Sequence, residues 1–115
     1  MPELPEVQTV VNTLQKLKNN QIIDFNYSWK KVIYNNTPLK VRSILKNKKI
    51  ITISRKGKYI IISLENLFLI CHLRMTGNLY VSNHIPKNKK HMRCYFSLDT
   101  KKYLIFEDIR KKFRI

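Results

Sequence analysis

The amino-acid sequence predicts a mainly β chain with one N-terminal helix. The expected class is α+β, and the body is a two-layer antiparallel β-sandwich of about eight strands. Three observations lead there. One apolar stripe at helical spacing opens the chain between Val7 and Leu17. Short apolar runs follow, each broken by Asn, Asp, Gly, Pro or a lysine cluster at hairpin spacing. The 115 residues are 43% hydrophobic with only two glycines and four prolines, which suits one packed domain and is too short for two.

The helix rests on Val7, Val10, Val11, Leu14 and Leu17, which repeat with the helical period and share one face. Pro5 suits a first helical turn and Glu6 suits its dipole. Asn19-Asn20 ends it. The remaining runs read as strands. The first spans Ile22 to Tyr34, followed by a turn at Asn35-Asn36-Thr37-Pro38. Val41 to Leu45 and Ile50 to Ser54 flank the basic bend Lys46-Asn47-Lys48-Lys49. Arg55-Lys56-Gly57-Lys58 breaks the pattern again. Tyr59 to Leu64 and Leu67 to Leu73 are nearly all apolar, which predicts neighbouring strands buried on both faces or at a sheet centre. Leu79 to Val81 is short, His84 to His91 is a basic loop, and Cys94 to Leu98 with Tyr103 to Phe106 forms a last hairpin around Asp99-Thr100. No repeat, linker or internal boundary interrupts the chain, so residues 1–115 are read as one domain.

Lys and Arg number 23 against seven Asp and Glu, a net charge of +16. Such a chain attracts polyanions, most commonly nucleic acid, through phosphate neutralisation and counterion release. The abundance of Lys, Asn and Ile fits an AT-rich genome and accounts for Lys over Arg, but not for so few acids. A ribosomal protein or a binder of anionic membranes carries the same total, so charge alone does not choose. The two cysteines, Cys71 and Cys94, form no CxxC pair and offer no zinc-ligand spacing, so no metal is expected. They are expected to be reduced thiols, with a disulfide left open. No apolar run approaches the roughly 20 residues of a membrane span. The start, MPELPEVQ, is acidic and is not a signal peptide. A cytosolic protein is expected.

Two of the seven acids lie in the first six residues. Pro2 follows the initiator Met, and a small second residue permits Met removal. That exposes a secondary amine. An α-amino group titrates near 8, roughly two units below Lys, so a usable fraction is neutral at physiological pH. A neutral amine can attack an electrophilic sugar carbon and form an imine. Glu3 beside it could shuttle protons. Many proteins begin Met-Pro, however, and Glu near a helix start is ordinary capping; these residues alone favour that plainer reading.

Four segments add a resemblance. MPELPEVQTV resembles the opening of the formamidopyrimidine-DNA glycosylases, more closely than that of their endonuclease VIII relatives, which usually carry Gly after the first Glu. Arg55-Lys56-Gly57-Lys58-Tyr59 resembles the family's R-R-[GA]-K-Y. His72-Leu73-Arg74-Met75-Thr76-Gly77 resembles its H-L-[RG]-M-[ST]-G. Phe106-Glu107-Asp108-Ile109-Arg110-Lys111 resembles the start of its D-x-R-[RK]-F-G. Each segment alone is weak; the four occur in order and in register over the whole chain.

The resemblance implies a set of roles. Pro2, once N-terminal, would displace a damaged purine and form a Schiff base with the deoxyribose. Glu3 would be the general acid/base at the sugar ring oxygen, and Glu6 would support the site and the flipped nucleotide. Lys58 would contact phosphate and assist catalysis. Base flipping leaves a hole in the duplex, and Met75 would fill it with an adaptable side chain. Arg110 would face the orphaned base and bond to its edge. His72 would contact phosphate, and His91 lies where the family has K-H-x-H, with Arg93 in place of the second His. Taken alone, Met75 also reads as a core Met, His72 as a structural His after a buried strand, and Arg110 and His91 as parts of solvated basic runs.

Two departures accompany these matches. Lys112 occupies the place of the family's wedge Phe, and Phe113 falls where Gly should be. The chain also ends at Ile115, so the family's helix–two-turns–helix and zinc-finger domains are expected to be absent, with no zinc and no other cofactor. Apolar surface that meets the second domain is then expected to be exposed, and self-association with it. The reading is a DNA repair glycosylase and AP lyase. It would excise oxidised purines (8-oxoguanine, formamidopyrimidine) from damaged double-stranded DNA by a proline Schiff base and β,δ-elimination, in the bacterial cytosol or nucleoid. The alternative is a truncated, catalytically weak or inactive DNA-binding remnant of such an enzyme. A third, an unrelated basic RNA-binding β protein, does not account for four ordered motifs.

Overall fold

The computed structural model of the protein describes residues 4–28, 30–34, 36–73, 77–88 and 90–108. The first helix, α1 (Leu4–Thr13), buries Val7 and Val11, and a 3-10 turn (Leu14–Leu17) continues the stripe with Leu14 and Leu17 fully buried. Asn19 ends it as the sequence predicts, at φ 71°, a left-handed conformation that Asn tolerates. Its N–H donates to the Ile50 carbonyl at 2.8 Å and ties the helix exit to the sheet.

Strand β1 (Ile22–Tyr27) is shorter than the expected Ile22–Tyr34 run. The chain turns at Ser28, whose N–H donates to the Arg93 carbonyl at 2.9 Å, and enters a 3-10 turn at Lys30–Val32. Aromatic and β-branched composition concealed that turn. The predicted strand at Val41–Leu45 is instead part of a helix, α2 (Pro38–Leu45). Thr37 caps it, its hydroxyl accepting from the Lys40 N–H at 3.2 Å, with Pro38 in the first turn where a missing N–H costs nothing. Val41 and Leu45 stand four apart and face the core. Helix α2 lies on β1, where Arg42 Nε donates to the Phe25 carbonyl at 2.8 Å and stands 3.4 Å from the Asp24 carboxylate.

Six more strands follow: β2 (Ile50–Lys56), β3 (Tyr59–Leu64), β4 (Leu67–His72), β5 (Gly77–Ser82), β6 (Met92–Leu98) and β7 (Tyr103–Asp108). They form two antiparallel sheets, one in the order β1-β6-β7-β5 and the other β2-β3-β4. The mainly β, two-sheet class expected from the sequence is the one observed, with seven strands among the described residues. The inner faces and the helices share one apolar cluster. At its centre Phe96 meets Phe25 at 4.9 Å and Phe106 at 5.4 Å between ring centroids. Burying each such ring contributes about 1.5–3 kcal/mol.

The expectation of strands buried on both faces needs correction. Strand β3 does sit at the centre of its sheet, but only alternate residues of β3 and β4 reach the core. Leu69 and Cys71 are buried, while Phe68 is 69% and Ile70 50% exposed. The apolar run on β4 therefore covers an outward face as well as an inward one. Cys71 and Cys94 are both buried free thiols on strands of opposite sheets.

Candidate nucleic-acid interface

The β2–β3 hairpin closes where Lys56 pairs with Tyr59, leaving Gly57 and Lys58 as its turn. Gly57 holds φ +60°, which a side-chain-bearing residue adopts only with strain. Arg55 braces this turn twice. Its Nη1 donates to the Gly57 carbonyl at 2.8 Å, and its Nε donates to Gln8 Oε1 at 2.9 Å. The turn that carries the half-buried Lys58 is thus tied to α1 at Gln8. Glu6 stands exposed in the first turn of the same helix.

Tyr59 leads from this turn to His72. The two residues are partners across β3 and β4, and their rings meet edge to face at 4.9 Å. His72 is half-buried at the very end of β4. Beyond it, the Gly77 N–H donates to the Leu73 carbonyl at 2.9 Å and joins the two described residues that flank Met75 in sequence. Gly77 in turn pairs with Asp108, the last residue of β7. The Asp108 N–H donates to the His91 carbonyl at 2.9 Å. A continuous chain of contacts therefore runs along one rim: α1, the Lys58 turn, His72, the Leu73–Gly77 contact, Asp108 and His91.

Cations crowd this rim and the adjoining loop. Arg55 and Lys56 on the hairpin are exposed, as are Lys87 and Lys90 before β6. His91 is half-buried with Nδ1 enclosed and without a hydrogen-bond partner. Behind the rim, the Tyr80 hydroxyl donates to the Glu107 carboxylate. Burial first, then that bond and the Glu107 charge, push the Tyr80 hydroxyl well above the usual tyrosine range. Burial raises the Cys71 thiol strongly, and burial plus the Cys71 charge raises Cys94, so neither is a nucleophile at neutral pH.

Of the residues that the sequence singled out, Glu6, Lys58, His72 and His91 belong to elements that meet at this rim. Pro2, Glu3, Met75 and Arg110 lie outside the described residues, as do Lys112 and Phe113. The sequence reading named two further rim residues but not the contact between them. Arg93 and Asp108 are the buried charged residues among those described, at 7% and 1% exposure. Arg93 Nε donates to the Asp108 carbonyl at 2.9 Å. The available signal was the acid that opens the D-x-R segment; nothing in the spacing placed Arg93 beside it. Among the described residues, no group of three or more His, Cys, Asp and Glu gathers around a metal-sized space. No helix among them is long and apolar enough to cross a membrane.

Residues 1–115 match the family described as the formamidopyrimidine-DNA glycosylase N-terminal domain. Curated relatives include the formamidopyrimidine-DNA glycosylase of Mycoplasma genitalium, 40% identical over 114 residues, covering 96% of this chain and 40% of that protein. That of Pelotomaculum thermopropionicum is 40% identical over 118 residues, covering all of this chain and 42% of the relative. The fold superposes on the Lactococcus lactis Fpg in complex with DNA containing an abasic site, with TM-score 0.91, 30% identity, and coverage of 98% of this chain and 42% of that one. A second complex of the Lactococcus lactis protein, with Fapy-dG-containing DNA, gives TM-score 0.90 at 31% identity, over 97% of this chain and 42% of that one. The chain therefore spans about two fifths of the length of these relatives.

Proposed function

The chain belongs to the formamidopyrimidine-DNA glycosylase family through its N-terminal domain, and from that membership we propose that it performs the chemical steps of a bifunctional DNA glycosylase and AP lyase. The observation that supports this reading is the rim: α1 at Gln8, the Lys58 turn, His72, the Leu73–Gly77 contact, Asp108 and His91 follow one another through direct contacts.

In this reading Met1 is removed and the Pro2 amine attacks the sugar carbon that bears the damaged base. The carbon–nitrogen bond to the base breaks as the bond to Pro2 forms, and the base leaves with a proton. Glu3 donates a proton to the ring oxygen, the ring opens, and a Schiff base remains. Glu6 supports Glu3 and the flipped nucleotide. Elimination at the β and then the δ position cuts the strand on both sides of the sugar.

Lys58 holds a phosphate and assists these eliminations. His72 and His91 hold further phosphates, Met75 fills the vacated stack and Arg110 bonds to the unpaired base. The substrate class is duplex DNA carrying oxidised purines such as 8-oxoguanine and formamidopyrimidine. No step requires a metal or cofactor, and the place of action is the bacterial cytosol or nucleoid.

Borohydride trapping tests the reading. The chain is incubated with duplexes that hold 8-oxoguanine or an abasic site, beside a Pro2→Gly control. Covalent adducts with both duplexes, lost in the control, are expected. An adduct only with the abasic duplex removes the glycosylase step, and no adduct with either leaves a DNA-binding protein without this chemistry. An intact mass that retains Met1 also overturns the reading, because Pro2 then lacks its free amine.

A further inference from the structure

Arg93 is a buried cation in a place that strand pairing alone does not explain. Strand β6 pairs Met92 with Glu107 and Cys94 with Phe106, so Arg93 is the extra residue of a β-bulge. A bulge leaves its extra residue unpaired in the ladder and re-aims its side chain. Here the re-aimed side chain is 7% exposed, and its Nε donates to the Asp108 carbonyl at 2.9 Å. The backbone of Arg93 is held from the other side, where its carbonyl accepts from the Ser28 N–H at 2.9 Å.

Asp108 is consequently gripped at both of its backbone groups. Its N–H goes to the His91 carbonyl at 2.9 Å and its carbonyl to Arg93. Its Cα pairs with Gly77, the first residue of β5. Burying a guanidinium is costly unless good hydrogen bonds compensate it, so the interaction fixes one geometry rather than merely adding attraction. Lysine cannot replace it, because a point ammonium on a flexible stem lacks the planar fork that aims Nε. Asp108 is also the residue from which the chain departs toward Arg110, two positions on.

We propose that Arg93 is a positioning residue: by clamping Asp108 to the bulge of β6 it fixes the end of β7, two positions before Arg110, and so how Arg110 addresses the base opposite the lesion. The proposal rests on the role given to Arg110 above. Arg93 touches neither the sugar nor the Pro2 amine in this scheme; it acts through Asp108.

Two measurements on the full chain test it, with Arg93→Lys and Arg93→Met. The first is amide exchange by NMR. Loss of a charge-assisted bond should speed exchange at Asp108 by about tenfold or more, while Ile60 and Ile62 in the centre of the other sheet keep wild-type rates. An unchanged Asp108, or acceleration spread evenly through both sheets, overturns the clamp. The second is equilibrium binding to duplexes with a tetrahydrofuran gap opposite cytosine or adenine. The wild-type preference between the two should fall by about fivefold in Arg93→Lys, with the salt dependence of binding retained. A preference that survives accelerated exchange, or a wild-type chain with none, overturns the positioning role. Because this readout is binding alone, failure of covalent trapping sinks the glycosylase reading without deciding the role of Arg93.

Discussion

Arg55 Nε donates to Gln8 Oε1 at 2.9 Å, which couples the helix that begins the chain to the hairpin that carries Lys58. Both residues lie at the surface, so the bond should matter more to geometry than to stability. Gln8→Ala and Arg55→Ala should each lower unfolding free energy by no more than about 1 kcal/mol in urea titrations. Trapping on an abasic duplex should slow by roughly tenfold in either variant, since small misplacements of reacting groups are costly. If the double variant is slowed by the product of the two single effects, the residues act independently and the coupling is refuted.

Gly57 supplies the second brace of that hairpin. An added Cβ would meet nothing within 4 Å, so the penalty of Gly57→Ala is conformational and not steric crowding from neighbours. At φ +60° it should cost about 1 kcal/mol. Gly57→Asn should recover part of this, because Asn visits the left-handed region more readily. Equal midpoints for the Ala and Asn variants in urea would show that the backbone conformation is not the cause.

The pH dependence of stability follows from Tyr80 and Tyr95. Burial is the largest cause of a raised hydroxyl in both; Glu107 adds to it at Tyr80, and Tyr103 and Asp24 add to it at Tyr95. Their folded-state values lie above the unfolded one. Their contribution is therefore complete below about pH 10, the unfolded tyrosine value, and is lost as pH rises toward the folded values. Ultraviolet titration should show Tyr80 and Tyr95 ionising late, together with unfolding. In Glu107→Gln, Tyr80 should ionise earlier. Ionisation of both hydroxyls at the unfolded tyrosine value would count against the assignment.

The outward side of the smaller sheet carries Phe68 and Ile70 beside a groove of about 240 Å³ lined by Lys56, Tyr59, Ile61 and Ile70. Strand β4 is also the outer strand of its sheet and bears no charge or proline, the devices that usually discourage edge pairing. Sedimentation should reveal self-association that grows with concentration. Phe68→Lys should weaken it while shifting stability by no more than roughly 0.5 kcal/mol. A monomer at all concentrations would reject this expectation.

Legibility in the sequence followed periodicity. The stripe from Val7 to Leu17 gave α1 because each apolar residue does face the core or pack against it. Helix α2 was missed because Val41, Ile44 and Leu45 are as common in strands as in helices. Its better signal was Thr37-Pro38, a cap followed by a first-turn proline. The run from Leu67 to Leu73 was misjudged because apolar composition says nothing about which face is covered. At the rim, Lys58 and His72 were legible from motifs, and their adjacency became visible only through the pairing of Tyr59 with His72. The Arg93–Asp108 contact was illegible, since a bulge follows from three-dimensional register and not from residue spacing.

The pairing of Ile22 with Leu98 has a consequence for how the protein reaches this shape. Strands β2, β3 and β4 follow one another and pair through tight turns, so their meander needs only local loop closure. Strand β1 must wait for β6, since Ile22 and Leu98 stand 98 − 22 = 76 residues apart, and long loops close slowly. On the ribosome the smaller sheet can organise, and α2 can pack on β1, while β1 still lacks its strand partner β6. The Gly77–Asp108 junction comes last, because it needs the end of β7. Pulse-labelled exchange during refolding should therefore protect Ile60 and Ile62 before Phe25 and Phe96. The Asp108 end of the rim is therefore the final part of the domain to take form, so a slow or stalled folding event leaves a core with an unfinished rim.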